Sequence, residues 1–216
     1  MTAPTTALTK LQMAQRVAQD IPRGAYVNLG IGLPTLVADV MDPAAQITLH
    51  TENGMLGMGP AATEDQVDRD LVNAGKIHVT QLAGASYFQQ DASFGMMRGG
   101  HIDVCVLGAF QVAINGDLAN WSTGAPGAVP AVGGAMDLAV GARSTVVMMT
   151  LLAKDGSPKI VEQCTLPLTG LGCVSRVYTE LAVFDVGSKG LRLVESYGTT
   201  HAELEELLGL TIKETQ

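Results

Sequence analysis

Glu52 stands in the run HTENGMLGMGP, residues 50–60, where one carboxylate precedes three glycines and a proline. A glutamate with an ordinary pKa of ~4.3 is ionised at neutral pH and is a poor nucleophile while water surrounds it. Withdrawn from bulk water and set against an activated acyl group, beside N–H donors for the developing oxyanion, it becomes a competent one. Glycine-rich backbone suits that use, because an N–H with no Cβ beside it can approach a substrate closely. NGMLGMGP offers one set of amides next to Glu52, and AVGGA (131–135), with Gly133 and Gly134, offers a second. A helix cap, or a surface carboxylate followed by turn glycines, fits the run equally well, and the run alone leaves the choice open.

Other candidates surround it. In NLGIGLPT (28–35), Gly30 and Gly32 supply a G-x-G after a strand-like stretch, and Glu52 lies 22 residues past Gly30. That is near the place of the ribose-binding acid in a dinucleotide fingerprint. The third glycine position holds Thr35 beside Pro34, so the fingerprint is incomplete and a dinucleotide-binding module is the lesser alternative. Asn28 ends the strand and either orients Glu52 or an acyl carbonyl, or holds its own turn. His50, two residues before Glu52, shares its side if the strand runs through both, which would make it an acid–base neighbour. Lys76, in NAGK, is a cation suited to a phosphate or simply a solvated side chain. Arg98 and His101 are read as structural. Cys105, Cys164 and Cys173 have no CxxC spacing and are read as packed, reduced thiols.

The elements that must place these residues follow from pattern. TKLQMAQRVAQD (9–20) has a capping box at Thr9 and Gln12 and an apolar stripe through Leu11, Ala14, Val17 and Ala18, which predicts a helix. Strands are expected at 25–32, 45–52, 76–82, 103–110, 144–152, 178–186 and 191–196, with a helix at 33–40 and another within 86–97. Asn115–Gly116 marks a hairpin turn. THAELEELLG (200–209) reads as a capped helix ending at Gly209. The Gly/Pro/Ala run 122–134 is a long loop of the kind that often carries function. Strand–helix–strand order favours an α/β fold, an open sandwich with a mostly parallel sheet flanked by helices.

Bulk properties bound the function. The 216 residues are 47% hydrophobic and 16% charged with 25 glycines, which excludes a disordered chain and predicts a single domain spanning 1–216. Aromatics make up only 4%, so the core rests on aliphatic residues and Met. The net charge of −8 argues against nucleic acid and anionic membranes as partners. No signal peptide and no long apolar span are read, so a cytoplasmic chain is expected.

The segments YVNLGIGLPT, TENGMLGMGP, NAGKIHVT, SFGMMRGGHID, GDLANW, VGGAMDLA and CTLPLTG occur together and in order. On these the chain resembles the B (beta) subunits of two-subunit 3-oxoacid CoA-transferases, from about residue 8 to 209. The resemblance implies that Glu52 is the nucleophile and carries a glutamyl–coenzyme A thioester in a ping-pong reaction. Coenzyme A is then substrate and covalent intermediate, with no permanently bound cofactor and no metal. It implies substrate or coenzyme A contacts at Asn28, Gly30, Gly32, Lys76, Gly133 and Gly134, and a partner A (alpha) subunit in an A2B2 heterotetramer. STGAP and AVGG, in place of a lysine-bearing IPGK loop ending in G-M-G-G, resemble the branch acting on 3-oxoadipate. Succinyl-CoA is the implied donor and acetoacetate the alternative acceptor.

Overall fold

The first helix, α1 (Lys10–Asp20), opens on the box read from the sequence: Gln12 N–H donates to Thr9 Oγ1 and Thr9 N–H to Gln12 Oε1. In this computed structural model, which describes residues 6–124, 127 and 133–214, the chain continues through β1 (Tyr26–Leu29), a 3-10 segment (Leu33–Val40), β2 (Thr48–Thr51), β3 (Met55–Ala61) and β4 (Val79–Tyr87). Next come α2 (Gln90–Arg98), β5 (Val104–Leu107), β6 (Gln111–Ala113), β7 (Leu118–Ala119), α3 (Ala135–Gly141) and β8 (Ser144–Met148). The remainder is β9 (Ile160–Val161), β10 (Val174–Tyr178), β11 (Ala182–Asp185), β12 (Arg192–Ser196), α4 (His201–Leu208) and β13 (Lys213–Glu214).

Ten strands form one sheet in the order β13-β12-β11-β10-β8-β5-β1-β2-β3-β4. Its centre, from β10 to β2, is parallel throughout. A parallel strand buried on both faces needs an unbroken apolar run, and VCVL in β5 is buried at all four positions. Alternation then divides two cores. Val104, Val106, Val146 and Met148 face the core under α1 and the 3-10 segment, with Met13, Val17 and Val37. Cys105, Leu107 and Val147 face the other, with Met97, Leu138, Leu204 and Leu208 of α2, α3 and α4. Helices therefore cover both faces, which is the α/β sandwich expected. The Asn115–Gly116 turn joins β6 to β7, and with β9 they make a small three-stranded sheet.

Several boundaries differ from the sequence expectation. LPTLVADV is a 3-10 segment, because Gly32 C=O takes both Thr35 N–H (3.1 Å) and Thr35 Oγ1 (2.8 Å) at its tight start. The strand expected at 178–186 begins only at Ala182, as β11. Tyr178 instead ends β10, an antiparallel neighbour that the sequence expectation lacked, and Thr179 Oγ1 accepts the Ala182 N–H at the turn between them. The strand read at 144–152 stops at Met148, and the one read at 76–82 starts at Val79 and runs on to Tyr87. MLGMGPA is no loop: it is β3, paired antiparallel with β2 and β4. Of the loop read at 122–134, residues 125, 126 and 128–132 lie outside the described residues.

Candidate active site

Register across the parallel centre assembles one wall. Asn28 on β1 pairs with His50 on β2 and, on its other side, with Cys105 on β5. Val27, Leu29 and Leu49 occupy the core under α1, so alternation leaves Asn28, His50 and Cys105 as a row on the opposite face. Beyond β2 the chain turns back through residues 52–54. Gly54 N–H returns to Thr51 C=O at 3.1 Å, and Met55 N–H donates to Thr51 Oγ1 at 3.1 Å. Glu52 is the first residue of this corner, outside the strand ladder, and it lines a cavity of about 830 Å³. Asn28, Gly30, His50, Lys76, Gly133 and Gly134 share that lining, whereas Gly32 does not and serves instead as the positive-φ start of the 3-10 segment.

The carboxylate reaches across to the chain before α3. Gly134 N–H donates to Glu52 Oε2 at 3.1 Å, joining residues 82 apart. A Cβ on residue 134 would lie 2.5 Å from Glu52 Oε2 and 3.2 Å from Phe94 Cζ, so any larger residue there would push the carboxylate off this amide. Burial holds the Glu52 pKa above its ordinary value; the Gly134 N–H works against this, and the nearby Asp137 charge adds to it. Asp137 is itself paired with Arg98 at 2.6 Å, and Arg98 lies over the Phe94 ring. Arg98, read as structural, thus offsets a charge that acts on Glu52. Past the corner, the amides expected beside Glu52 in NGMLGMGP belong from Met55 on to β3, where glycine permits close packing instead: a Cβ on Gly59 would collide with Thr80 Oγ1. The amide that meets Glu52 comes from the second expected set.

His50 is 2% exposed, and burial lowers its pKa to about 4, with the Ser93 contact opposing, so it is neutral at pH 7. Both ring nitrogens are engaged, Nδ1 with Asn28 Nδ2 and Nε2 with Ser93 Oγ, each at 3.0 Å. A neutral ring with both nitrogens occupied is not placed for the acid–base role considered from its spacing. Lys76 is the one cation of the described cavity wall. Its backbone is left-handed (φ 60°) and is held by Asn73, whose C=O accepts Lys76 N–H at 2.9 Å and whose Oδ1 accepts Gly75 and Ile77 N–H. Cys105 is fully buried, its thiol pKa raised by desolvation and by Glu52, and all three cysteines are free thiols. Ser93, Phe94 and Asp137 lie in SFGMMRGGHID and VGGAMDLA, segments that carry the resemblance, but no local pattern set them apart from their neighbours. Asn73 had one, an Asn two residues before a glycine.

Among the described residues no helix is long and apolar enough to cross a membrane, and no three His, Cys, Asp or Glu side chains gather as metal ligands. The incomplete G-x-G leads into a 3-10 segment rather than an α-helix, so the dinucleotide pattern lacks its phosphate-facing helix start.

A partly desolvated carboxylate held on a backbone amide, just past the carboxyl end of a parallel strand inside an α/β sheet, defines an enzyme suited to acyl exchange. The family model for coenzyme A transferase matches residues 10–200, and the chain belongs to that family. It is 56% identical over 209 residues to the B (beta) chain of the 3-oxoadipate CoA-transferase of Pseudomonas putida, covering 96% of this chain and 98% of that one. It is 51% identical over 183 residues to the human mitochondrial succinyl-CoA:3-ketoacid coenzyme A transferase 2, which covers 83% of this chain and 35% of that longer protein. Among solved structures, glutaconate coenzyme A-transferase from Acidaminococcus fermentans shares the fold at TM-score 0.70 and 16% identity, covering 98% of this chain and 90% of that one. An acyl-CoA transferase from Escherichia coli O157:H7 shares it at TM-score 0.72 and 20% identity; this chain spans 43% of its length.

Proposed function

We propose that this chain is the B (beta) subunit of a two-subunit enzyme that moves coenzyme A from succinyl-CoA to 3-oxoadipate through a thioester on Glu52. The observation that carries the reading is the half-withdrawn Glu52 carboxylate on the cavity wall, held by the Gly134 N–H. Glu52 attacks the thioester carbonyl, the C–S bond breaks, and an acyl–glutamyl anhydride and coenzyme A thiolate result. The thiolate then attacks the glutamyl carbonyl and expels succinate, leaving glutamyl–coenzyme A. The acceptor carboxylate attacks this thioester and releases the thiolate, giving a second anhydride. The thiolate takes the new acyl group from that anhydride, and the Glu52 carboxylate is restored. In the steps at the glutamyl carbonyl the oxyanion forms on a glutamyl oxygen, where the Gly134 N–H is already aimed. Gly133, Gly30 and Asn28 complete the wall along which the acyl-thioester lies, and Lys76 supplies a cation for a coenzyme A phosphate.

The name of the Pseudomonas putida relative supports 3-oxoadipate as acceptor; the human relative's name favours a 3-ketoacid such as acetoacetate, the second reading. An A-type partner, in an A2B2 assembly within the cytoplasm, is part of the proposal. Two apolar side chains of the cavity lining, Ile31 (69% exposed) and Phe110 (40%), support a partner that covers the mouth.

The test uses the assembled complex. Succinyl-CoA without acceptor, followed by borohydride reduction and peptide mass spectrometry, is expected to mark Glu52. Glu52→Ala should abolish the mark and lower activity by at least about 10³-fold. An unmodified Glu52 in a complex that binds coenzyme A would sink the mechanism. Comparing 3-oxoadipate with acetoacetate as acceptors decides the branch, and the mass of the complex decides its stoichiometry.

A further inference from the structure

Asn28, His50 and Ser93 form a buried chain that the transfer chemistry does not use. They are 2%, 2% and 0% exposed. Asn28 Nδ2 lies 3.2 Å from the His50 backbone C=O, a group that can only accept, so the amide nitrogen and not its oxygen must face that way. The same nitrogen lies 3.0 Å from His50 Nδ1, which must then accept as well. A neutral imidazole accepting at Nδ1 carries its proton on Nε2. That proton goes to Ser93 Oγ at 3.0 Å, and the Ser93 hydroxyl donates to Thr51 C=O at 3.0 Å, on the residue before Glu52. Each donor has an acceptor, and the direction of every bond follows from one backbone carbonyl.

One atom is left over. Asn28 Oδ1 is the single buried side-chain nitrogen or oxygen without a hydrogen-bond partner among the described residues, and Asn28 lines the cavity. An unpaired buried acceptor is destabilising, so a working site would be expected to bring it a donor. Carboxylate substrates carry none. The thioester does, in the amide N–H groups of its pantetheine arm, the nearer one two carbons from the sulfur.

We propose that His50 and Ser93 are positioning residues that hold the Asn28 amide with its oxygen presented to the cavity, where it accepts an N–H from the pantetheine arm of the acyl-CoA. The proposal rests on the coenzyme A reading above and gives His50 the work of an orienter in place of a proton carrier. With His50 absent, the Asn28 amide can rotate and offer its nitrogen, and the site no longer distinguishes an arm with the N–H from one without it.

The experiment compares succinyl-CoA with an analogue whose amide nearest the sulfur is an ester, following formation of the Glu52 thioester in the full complex. In the wild type kcat/KM is expected to fall by about tenfold for the ester. His50→Leu should lower the rate with succinyl-CoA and bring the ratio near one, while His50→Gln, which can accept from Asn28 and donate to Ser93, should restore it. Ser93→Ala, the variant that keeps the ring, should reduce the ratio as well. Equal losses with both donors, leaving the ratio intact in His50→Leu and Ser93→Ala, would make the chain merely structural and overturn the proposal. A wild type indifferent to the ester would overturn the role of Asn28 Oδ1. Absence of any Glu52 thioester would instead remove the coenzyme A mechanism itself, an outcome distinct from both.

Discussion

Burial opposes a charge on Glu52, and this conflict has a measurable sign. Its pKa in the folded chain is raised, by desolvation first and by Asp137 second, against the Gly134 N–H. Between the ordinary value and the raised one, the folded state therefore holds more protons than the unfolded state, and stability falls as pH rises through that window. Glu52→Gln keeps an oxygen for the Gly134 N–H and removes the charge. Its melting temperature should exceed the wild type's at pH 7, and the gap should close as pH falls below the ordinary value of ~4.3. Thermal unfolding at several pH values measures this, and a gap independent of pH would refute it. A charge on Glu52 is thus held at a cost in stability. At this scale the sequence was legible in part: Glu52 stood out by its glycine-rich setting, while Ser93 lay in a resemblance segment without being singled out there.

At the scale of elements, the site depends on where a hairpin corner meets the start of a helix. The corner at 52–54 follows β2, and Gly134 precedes α3, so their meeting depends on how α2 and α3 pack, with Phe94 and the Arg98–Asp137 pair between them. Gly134→Ala tests the junction. The backbone there has φ −86° and ψ 7°, a negative-φ turn conformation open to alanine without needing glycine, yet its Cβ would lie 2.5 Å from Glu52 Oε2. The expected result is a fall in kcat/KM of about 10²-fold, the cost of losing one oxyanion donor. The melting temperature should stay within about 2 °C. A melting temperature that fell in step with activity would show a folding defect instead. The caps at Thr9 and Thr200 were legible because a capping box lies within four residues. The β3–β4 pairing was not, since the glycines of MLGMGPA weaken strand propensity and their tolerance comes from a close neighbour.

Across the whole molecule, α1 is tied to the far half of the sheet through Asp20 and through Arg16, which also donates to Glu195 of β12 at 2.8 Å. Asp20 accepts from Arg16 (2.6 Å), Arg176 (2.9 Å) and Tyr178 (2.7 Å), and Arg176 and Arg192 meet again on Asp185. Desolvation alone would raise the Asp20 pKa, but the hydrogen bonds from Arg16, Tyr178 and Arg176 outweigh it and hold it below the ordinary value. A depressed carboxylate contributes stability above its unfolded pKa and loses it as pH falls through the folded one. Asp20→Asn should therefore cost about 1–3 kcal/mol at pH 7, a fall in melting temperature of roughly 3–10 °C. The difference from wild type should shrink as the pH drops below ~3.9. Denaturant titrations at pH 7 and pH 3 check it; a cost that persists unchanged at pH 3 would point to packing rather than charge.

Glu52 enters as a nucleophile only through the family resemblance; by itself the sequence determined the class of fold, the capped helices and most of the central strands. These are short-range signals, carried by alternation, caps and turn residues within a few positions of one another. The tertiary structure alone decided that Gly134, 82 residues away, is the amide that holds Glu52, and that Asn28, His50 and Cys105 stand in one row. It also decided that Gly57 and Gly59, after Glu52, belong to a strand. The reason is physical: which strands become neighbours, and in what register, is set by burying two apolar faces at once, and no short window of residues contains that constraint.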